Sequence, residues 1–203
     1  MKKWIRALAL ALVLSLLVSL GGFGAECAAI RERVLRLHVL ANSDSDEDQA
    51  LKLKVRDAIV QDAAGLFDDC TDRVSAHAAA EAQLARLQET AEACVQAEGY
   101  DYAVRVELCE MYFTTRQYET VTLPAGRYDA LRVTIGEGAG HNWWCVVFPP
   151  MCVSAASEHT ELSEVLDDRQ LDIVEHPQQY EVRFKIVEWF EAARDMVSGW
   201  FGE

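Results

Sequence analysis

A basic start followed by an apolar run is the feature that most constrains how this chain can fold. Three basic residues lie within the first six positions, and segment 7–20 carries no charge. This order is typical of a secretory signal, so the folded body must form outside the cytoplasm. Small residues favour cleavage near Ala25, although the uncharged stretch is also long enough to stay as a membrane anchor. We therefore assign 1–25 as a signal peptide or signal anchor.

The remaining residues, 26–203, are expected to form one extracytoplasmic domain, because no linker-like segment divides them. The chain has 33 acidic and 19 basic residues, and without the three basic residues of the signal segment 16 basic residues remain, for a net charge of −17. A body this acidic repels phosphate backbones and anionic lipid headgroups. The charge therefore disfavours nucleic acid as a partner and favours proteins or cations.

Hydrophobic periodicity predicts an α+β fold. Ser45 and the acidic residues after it resemble a helix start, and a long alanine-rich helix is predicted over 72–98. The segments with strand-like patterns are 34–41, 102–109, 117–123, 128–135, 142–148 and 181–187. A final helical stripe follows, in which we expect Trp189 and Phe190 to pack in the core. This order favours a mainly antiparallel sheet with helices packed on one face, preceded by the signal helix.

Export changes the meaning of the six cysteines, because an oxidising compartment permits disulfide bonds. Cys145 and Cys152 flank a segment with two consecutive prolines, which can bend the chain so that the two sulfur atoms meet. We predict a disulfide between them, with two buried free thiols as the alternative. The pairing of the other four stays open, namely Cys27, Cys70, Cys94 and Cys109.

No residue pattern indicates a catalytic, metal or cofactor site. The chain contains no HExxH, GxSxG or SxxK motif. His141, Cys145 and Cys152 could in principle bind zinc, but a disulfide beside a surface histidine fits an exported strand better. We therefore expect a protein that is not an enzyme. The alternative is an exported hydrolase acting on cell wall or peptide, with His141 and either Glu137 or Asp129 as general acid and base.

Two adjacent tryptophans mark the best candidate for a partner-binding surface. Trp143 and Trp144 lie on a predicted strand, where neighbouring side chains point to opposite faces, so at most one of them enters the core. A rigid exposed aromatic ring is well suited to protein binding because it loses little entropy on docking. The candidate contact residues are therefore His141, Asn142, Trp143 and Trp144. The alternative is that residues 153–180 cover the second tryptophan.

Five segments of the exported body form one ordered pattern, and its most specific part is the block from Trp143 to Cys152. The segments are 36–45, 47–57, 123–132, 136–152 and 184–188. Through this pattern, which runs through nearly the whole exported body, the sequence closely resembles the stage II sporulation protein R family of endospore-forming bacteria.

The resemblance implies a signalling protein that is made in the forespore and secreted into the space between the forespore and mother-cell membranes. Its implied partner is a membrane-embedded aspartic protease of the mother cell, which then removes the pro-segment of an early mother-cell sigma factor. Neither a cofactor nor a small-molecule substrate is implied. A structural protein of the spore envelope is a further alternative, which stoichiometric assembly would distinguish from signalling.

Overall fold

A computed structural model describes residues 2–118, 121–149 and 158–201. The helices are α1 (Lys2–Arg31), α2 (Asp46–Asp62), α3 (Arg73–Ala82), α4 (Leu84–Ala97), α5 (Glu158–Val165), α6 (Asp168–Glu175) and α7 (Pro177–Phe201). The strands are β1 (Leu35–Leu40), β2 (Val104–Phe113), β3 (Arg116–Gln117), β4 (Thr122–Leu123), β5 (Gly126–Ile135) and β6 (Asn142–Phe148).

These elements group into two compact units. The sheet unit contains β1, α2, α3, α4, β2, β5, β6 and α5, and the helical unit contains α1, β3, β4, α6 and α7. Residues from 26–203 contribute to both units, and their assignment to one domain stays a prediction.

A four-stranded mixed sheet forms the centre of the sheet unit. Its strand order is β2-β5-β1-β6, with β1 parallel to β5 and antiparallel to β6. On one face of the sheet, Leu37 and Val39 join a buried cluster with Leu51 and Val55 of α2 and Leu87 of α4. The predicted α+β class, with helices packed on a sheet, is confirmed. All six residues of β1 are buried, which makes this strand the core of the unit.

Helix α2 begins where the sequence predicts. Ser45 is its N-cap and accepts a hydrogen bond from the Asp48 amide at 3.2 Å. Three acidic residues fill the first turn, where the positive end of the helix dipole stabilises them. The helix start is therefore a local property of the sequence.

Three predicted elements differ from the structure. In place of one strand over 117–123, two short strands, β3 and β4, pair with each other. The helix expected over 72–98 breaks at Gln83 into α3 and α4, which lets both helices contact the core. The strand expected over 181–187 is part of helix α7, in which Phe184 and Val187 are buried together at helical spacing. The alternation of apolar and polar residues in this segment fits both periods, and packing selects the helix.

The helical unit is held together around the end of α1. The Phe23 ring stacks on Tyr180 at 5.5 Å and meets Phe184 edge-on at 5.3 Å between centroids. Cys27 and Ile30 are also buried. The preceding part of α1 is exposed and, by length and composition alone, could cross a membrane. The predicted N-terminal apolar helix is thus present and is compatible with a signal sequence or anchor, and the last two turns of α1 belong to the folded unit.

The expectation that Trp189 and Phe190 pack in the core is wrong. Trp189 is 72% exposed and Phe190 is 65% exposed. Helix α7 instead buries the face that carries Phe184 and Glu191.

Candidate functional site

Two loops of the sheet unit are hydrogen-bonded to each other, and we call residues 41–45 and 136–141 the paired loops. The Ala139 amide donates to the Asn42 carbonyl at 3.1 Å, and the Gly140 amide donates to the Ala41 carbonyl at 3.0 Å. The Glu137 amide donates to Asn42 Oδ1 at 3.0 Å. Both loops belong to the segments that carry the family resemblance, so two distant parts of that pattern form one structure.

Asp48 fixes the first of the paired loops. Asn42 Nδ2 donates to Asp48 Oδ2 at 2.9 Å, and Ser43 Oγ donates to the same oxygen at 2.5 Å. These hydrogen bonds, led by the one from Ser43, hold the pKa of the Asp48 carboxyl below its usual value. Asp48 therefore stays ionised and orders the loop from the first turn of α2.

Close approach of the backbones requires glycine in the second of the paired loops. A Cβ at Gly136, where φ is +56°, would lie 2.2 Å from Asn42 Oδ1. A Cβ at Gly140 would lie 2.1 Å from the Ser43 carbonyl oxygen. The glycine-rich turn is thus a packing requirement of the paired loops.

We expect Gly140→Ala to separate the paired loops. The clash is with a backbone atom that cannot swing away, so the free energy of unfolding should fall by about 3 kcal/mol. Hydrogen exchange of the Ala139 amide, measured together with urea unfolding, should show lost protection. Gly99→Ala is the control, because Gly99 has φ +85° with no atom within 4 Å, and the left-handed backbone alone should cost about 1 kcal/mol. Equal effects of the two variants would contradict the close packing of the loops.

Lys52 connects α2 to the second loop. It is 5% exposed, and its Nζ donates to the His141 carbonyl at 3.0 Å and to Gln49 Oε1 at 2.5 Å. Burial lowers the pKa of this ammonium. The contact fixes the backbone of His141 just before β6 begins.

The His141 side chain pairs with Asp44, which is a residue of the first loop. His141 Nδ1 lies 2.5 Å from Asp44 Oδ1, and the two side chains are 79% and 57% exposed. Asp129 instead pairs with Arg73, and it lies six residues before the end of β5, which is about 20 Å along the strand. The structure therefore does not bring His141 and Asp129 together as an acid and base pair.

Trp143 and Trp144 lie on opposite faces of β6, and each is half-buried. We call the buried cluster between the sheet and helices α2 and α4 the helix-side core. Trp143 packs against it, and the Arg56 guanidinium lies 4.3 Å from the Trp143 ring centroid. Trp144 stacks on His38, with the ring centroids 4.0 Å apart and the planes 7° from parallel. The contact role of His141–Trp144 stays a prediction, and Trp144 is the member of the pair that lies outside the helix-side core.

His38 is the buried partner that the sequence pattern does not identify. It is 3% exposed and lies opposite Trp144 in the register of β1 and β6. Burial lowers the pKa of His38 to about 4, although a hydrogen bond with Asn142 acts in the opposite direction. The ring is therefore neutral near pH 7 and joins Asn142 and Trp144 in one contact group.

The neutral state of His38 predicts a loss of stability in acid. The unfolded chain gains a proton near pH 6.5, whereas the folded chain resists protonation until about pH 4. The free energy of unfolding should therefore fall between these values by up to about 3 kcal/mol. Urea unfolding from pH 7 to pH 4 measures this slope. His38→Phe should reduce the dependence of the free energy of unfolding on pH, and His176→Phe, a control at an exposed site, should not. An unchanged pH dependence in His38→Phe would contradict a buried, neutral His38.

The structure records Cys145 as disulfide-bonded. Cys152 lies outside the described residues, so the Cys145–Cys152 pairing stays a prediction. The other four cysteines, whose pairing the sequence left open, are free thiols. Within the described ranges, no three His, Cys, Asp or Glu side chains are grouped so that they could hold a metal ion.

Sequence reasoning found the tryptophan strand but missed the residues that support it. Asp44 and Lys52 bind His141 of the second loop from about ninety positions earlier in the chain, and Asp48 orders the first loop. Arg36 is fully buried, donates from Nε to the Cys145 carbonyl at 3.3 Å and lies over the Tyr128 ring at 4.8 Å. The only sequence signal for these contacts is that the loops share the resemblance pattern.

Known proteins with similar sequences are sporulation proteins. The family profile described as Stage II sporulation protein R (spore_II_R) matches residues 31–158, a range that includes both paired loops and β6. The stage II sporulation protein R of Bacillus subtilis (strain 168) is 32% identical over 183 residues, covering 79% of this chain and 81% of the relative. No solved structure matches the chain.

Proposed function

Because this chain belongs to the stage II sporulation protein R family, we propose that it is a secreted signal that activates a membrane-embedded aspartic protease in the mother cell. The activated protease then processes the precursor of an early mother-cell sigma factor. The protein acts in the space between the forespore and mother-cell membranes. Its action is binding, and it requires no cofactor.

The arrangement of the paired loops is the observation that carries this proposal. The paired loops lie far apart in the chain and are joined by backbone hydrogen bonds. The second loop leads into β6 through His141 and Asn142, which are exposed and precede Trp144. A surface that is fixed before binding loses little entropy when a partner docks. This arrangement supports a contact surface formed by His141, Asn142 and Trp144, whereas Trp143 packs against the core from the opposite face of β6.

The hydrolase alternative has less support. His141 pairs with a carboxylate, but both side chains are open to solvent, where a general base is not desolvated. Asp129 is held in an ion pair with Arg73. Glu137, the other carboxylate proposed for this role, is exposed. None of these three residues therefore belongs to the enclosed acid and base pair that a hydrolase needs.

Co-expression in a non-sporulating host tests the proposed function. The chain, the candidate protease and the sigma-factor precursor are produced together, and the precursor and its product are separated by gel electrophoresis. Conversion should require all three proteins. Conversion without this chain, or no conversion when all three proteins are present and this chain is exported, would contradict the proposal.

The packing of α1 makes a prediction about the exported form. Phe23 is 2% exposed and fills an aromatic cluster, and loss of such a ring costs about 3–5 kcal/mol. We therefore expect the exported chain to keep Phe23, either as a retained anchor or after a cut before this residue. Intact mass of the extracytoplasmic product measures this. A folded, active product that begins after Ala25 would contradict it.

A further inference from the structure

Helix α7 carries an exposed apolar stripe along most of its length, which we call the α7 seam. Val182 is 73% exposed, Trp189 is 72% exposed and Met196 is 76% exposed. Half-buried Ile186 and exposed Ala193 lie between them on the same side of the helix. Side chains of this size rarely stay in water as a continuous stripe unless another surface covers them.

The spacing of the seam identifies the kind of surface that covers it. Successive seam residues are separated by four, three, four and three positions, and Trp200 follows Met196 by four in the sequence. This is the repeat that places apolar residues at positions a and d of a coiled coil. Phe184 and Glu191 occupy the opposite position f and are buried against the helical unit. The partner of the seam is therefore another helix.

Contacts within the helical unit fix the direction of α7. Phe23 of α1 meets Tyr180 and Phe184, whereas Arg31, eight residues later, binds Glu191 at 3.0 Å. The two helices therefore run in the same direction. When α1 spans a membrane, α7 leads away from that membrane, so the seam does not lie flat on the lipid surface.

We propose that the α7 seam pairs with the seam of a second copy of this chain as a parallel, two-stranded coiled coil. Two copies anchored by α1 in one membrane present their α7 helices in the same direction, as a parallel pair requires. The inference does not rest on the proposed signalling function.

The residues beside the seam are compatible with pairing between identical chains. In a parallel pair, each position g faces position e of the other chain five residues later. The resulting pairs are Gln178 with Arg183, Lys185 with Phe190, and Ala192 with Val197. None of these pairs brings like charges together, so self-pairing meets no local repulsion.

Membrane anchoring raises the stability of a pair whose seam is too short to associate strongly by itself. A coiled coil of fewer than three heptads pairs weakly in dilute solution, and the acidic bodies repel each other. Confinement to one membrane raises the effective concentration of the two seams and fixes their orientation. The pair should therefore form on membranes that hold the anchored chain.

Cysteine crosslinking tests the geometry of the pair. Full-length chain is purified with α1 intact, reconstituted in phosphatidylcholine vesicles at low protein-to-lipid ratio and oxidised. Val182→Cys and Met196→Cys should give crosslinked dimers. Ser198→Cys, at exposed position f on the opposite side of α7, should stay monomeric like the unsubstituted chain. Monomers at all three positions, or equal dimer at Ser198, would overturn the proposal.

A charge substitution tests the seam itself. Trp189→Glu should abolish the crosslink through Met196→Cys, and Ser198→Glu, which adds the same charge on the opposite face, should leave it intact. A chain that stays monomeric in vesicles, while Trp189→Glu abolishes precursor conversion, would show that the seam binds the protease instead and would overturn self-pairing. A chain that dimerises but does not support precursor conversion would support the coiled coil and contradict the proposed function.

Discussion

Replacing Arg31 with methionine should lower the free energy of unfolding by about 3 kcal/mol. Arg31 is 8% exposed, and it donates to Glu191 Oε1 and to the Ala125 carbonyl, each at 3.0 Å. Without the guanidinium, the Glu191 carboxylate, which is 5% exposed, stays buried, and Arg194 is its remaining ion-pair partner among the described residues. Urea unfolding of Arg31→Met at pH 7 measures the loss.

Arg194→Met is the matched control for this prediction. Arg194 binds the other oxygen of Glu191 at 2.9 Å, but its side chain is 55% exposed. An exposed ion pair contributes less than about 1 kcal/mol, so this variant should remain close to the unsubstituted protein. Similar small losses in both variants would mean that the Arg31–Glu191 pair does not hold α1 to α7.

Replacing Trp144 with alanine should abolish precursor conversion in a protein that still folds. The ring is half-buried and stacks on His38, so its loss should cost about 1 kcal/mol of stability. Trp143→Ala should show the opposite pattern. That ring packs against the core beneath Arg56, so we expect a loss of about 2 kcal/mol with conversion retained where the variant is folded. Thermal unfolding and the co-expression assay separate the two effects.

Two carboxylate variants complete the comparison with the tryptophans. Glu137→Gln and Asp129→Asn remove the groups that a hydrolase would use, and both should support normal conversion. If either abolished conversion in a folded protein while Trp144→Ala still signalled, the contact surface would be wrong and the hydrolase would become the better explanation.

Local signals account for the parts of the fold that the sequence predicts correctly. Ser45 caps α2 through a neighbour three positions away, so the start of this helix depends on nothing distant. Strand β5 follows its predicted segment because side chains alternate between buried and half-buried positions. Strands β1 and β6 follow theirs because they are short runs rich in β-branched and apolar residues, which suit a buried strand. The break at Gln83 was missed because the alanine-rich sequence around it is equally helical on both sides.

Non-local packing accounts for what the sequence does not predict. The apolar and aromatic residues of α7 are visible in the sequence. The helical unit buries the side of α7 that carries Phe184, whereas Trp189 is exposed to water. Likewise, His141 and Trp144 are visible as unusual residues, whereas their partners Asp44 and His38 come from a distant segment. Which face is covered, and by which residues, depends on contacts that no local pattern encodes.

Titration of the protein against the protease tests most directly whether it signals by binding. Vesicles carrying a known amount of the protease and supplied with precursor are mixed with increasing amounts of the purified chain, and the final fraction of active protease is measured. Binding predicts that this fraction rises in proportion to the added chain and saturates once the chain occupies the available protease. Full activation by an amount of chain far below that of the protease would contradict binding and indicate that the chain acts as an enzyme.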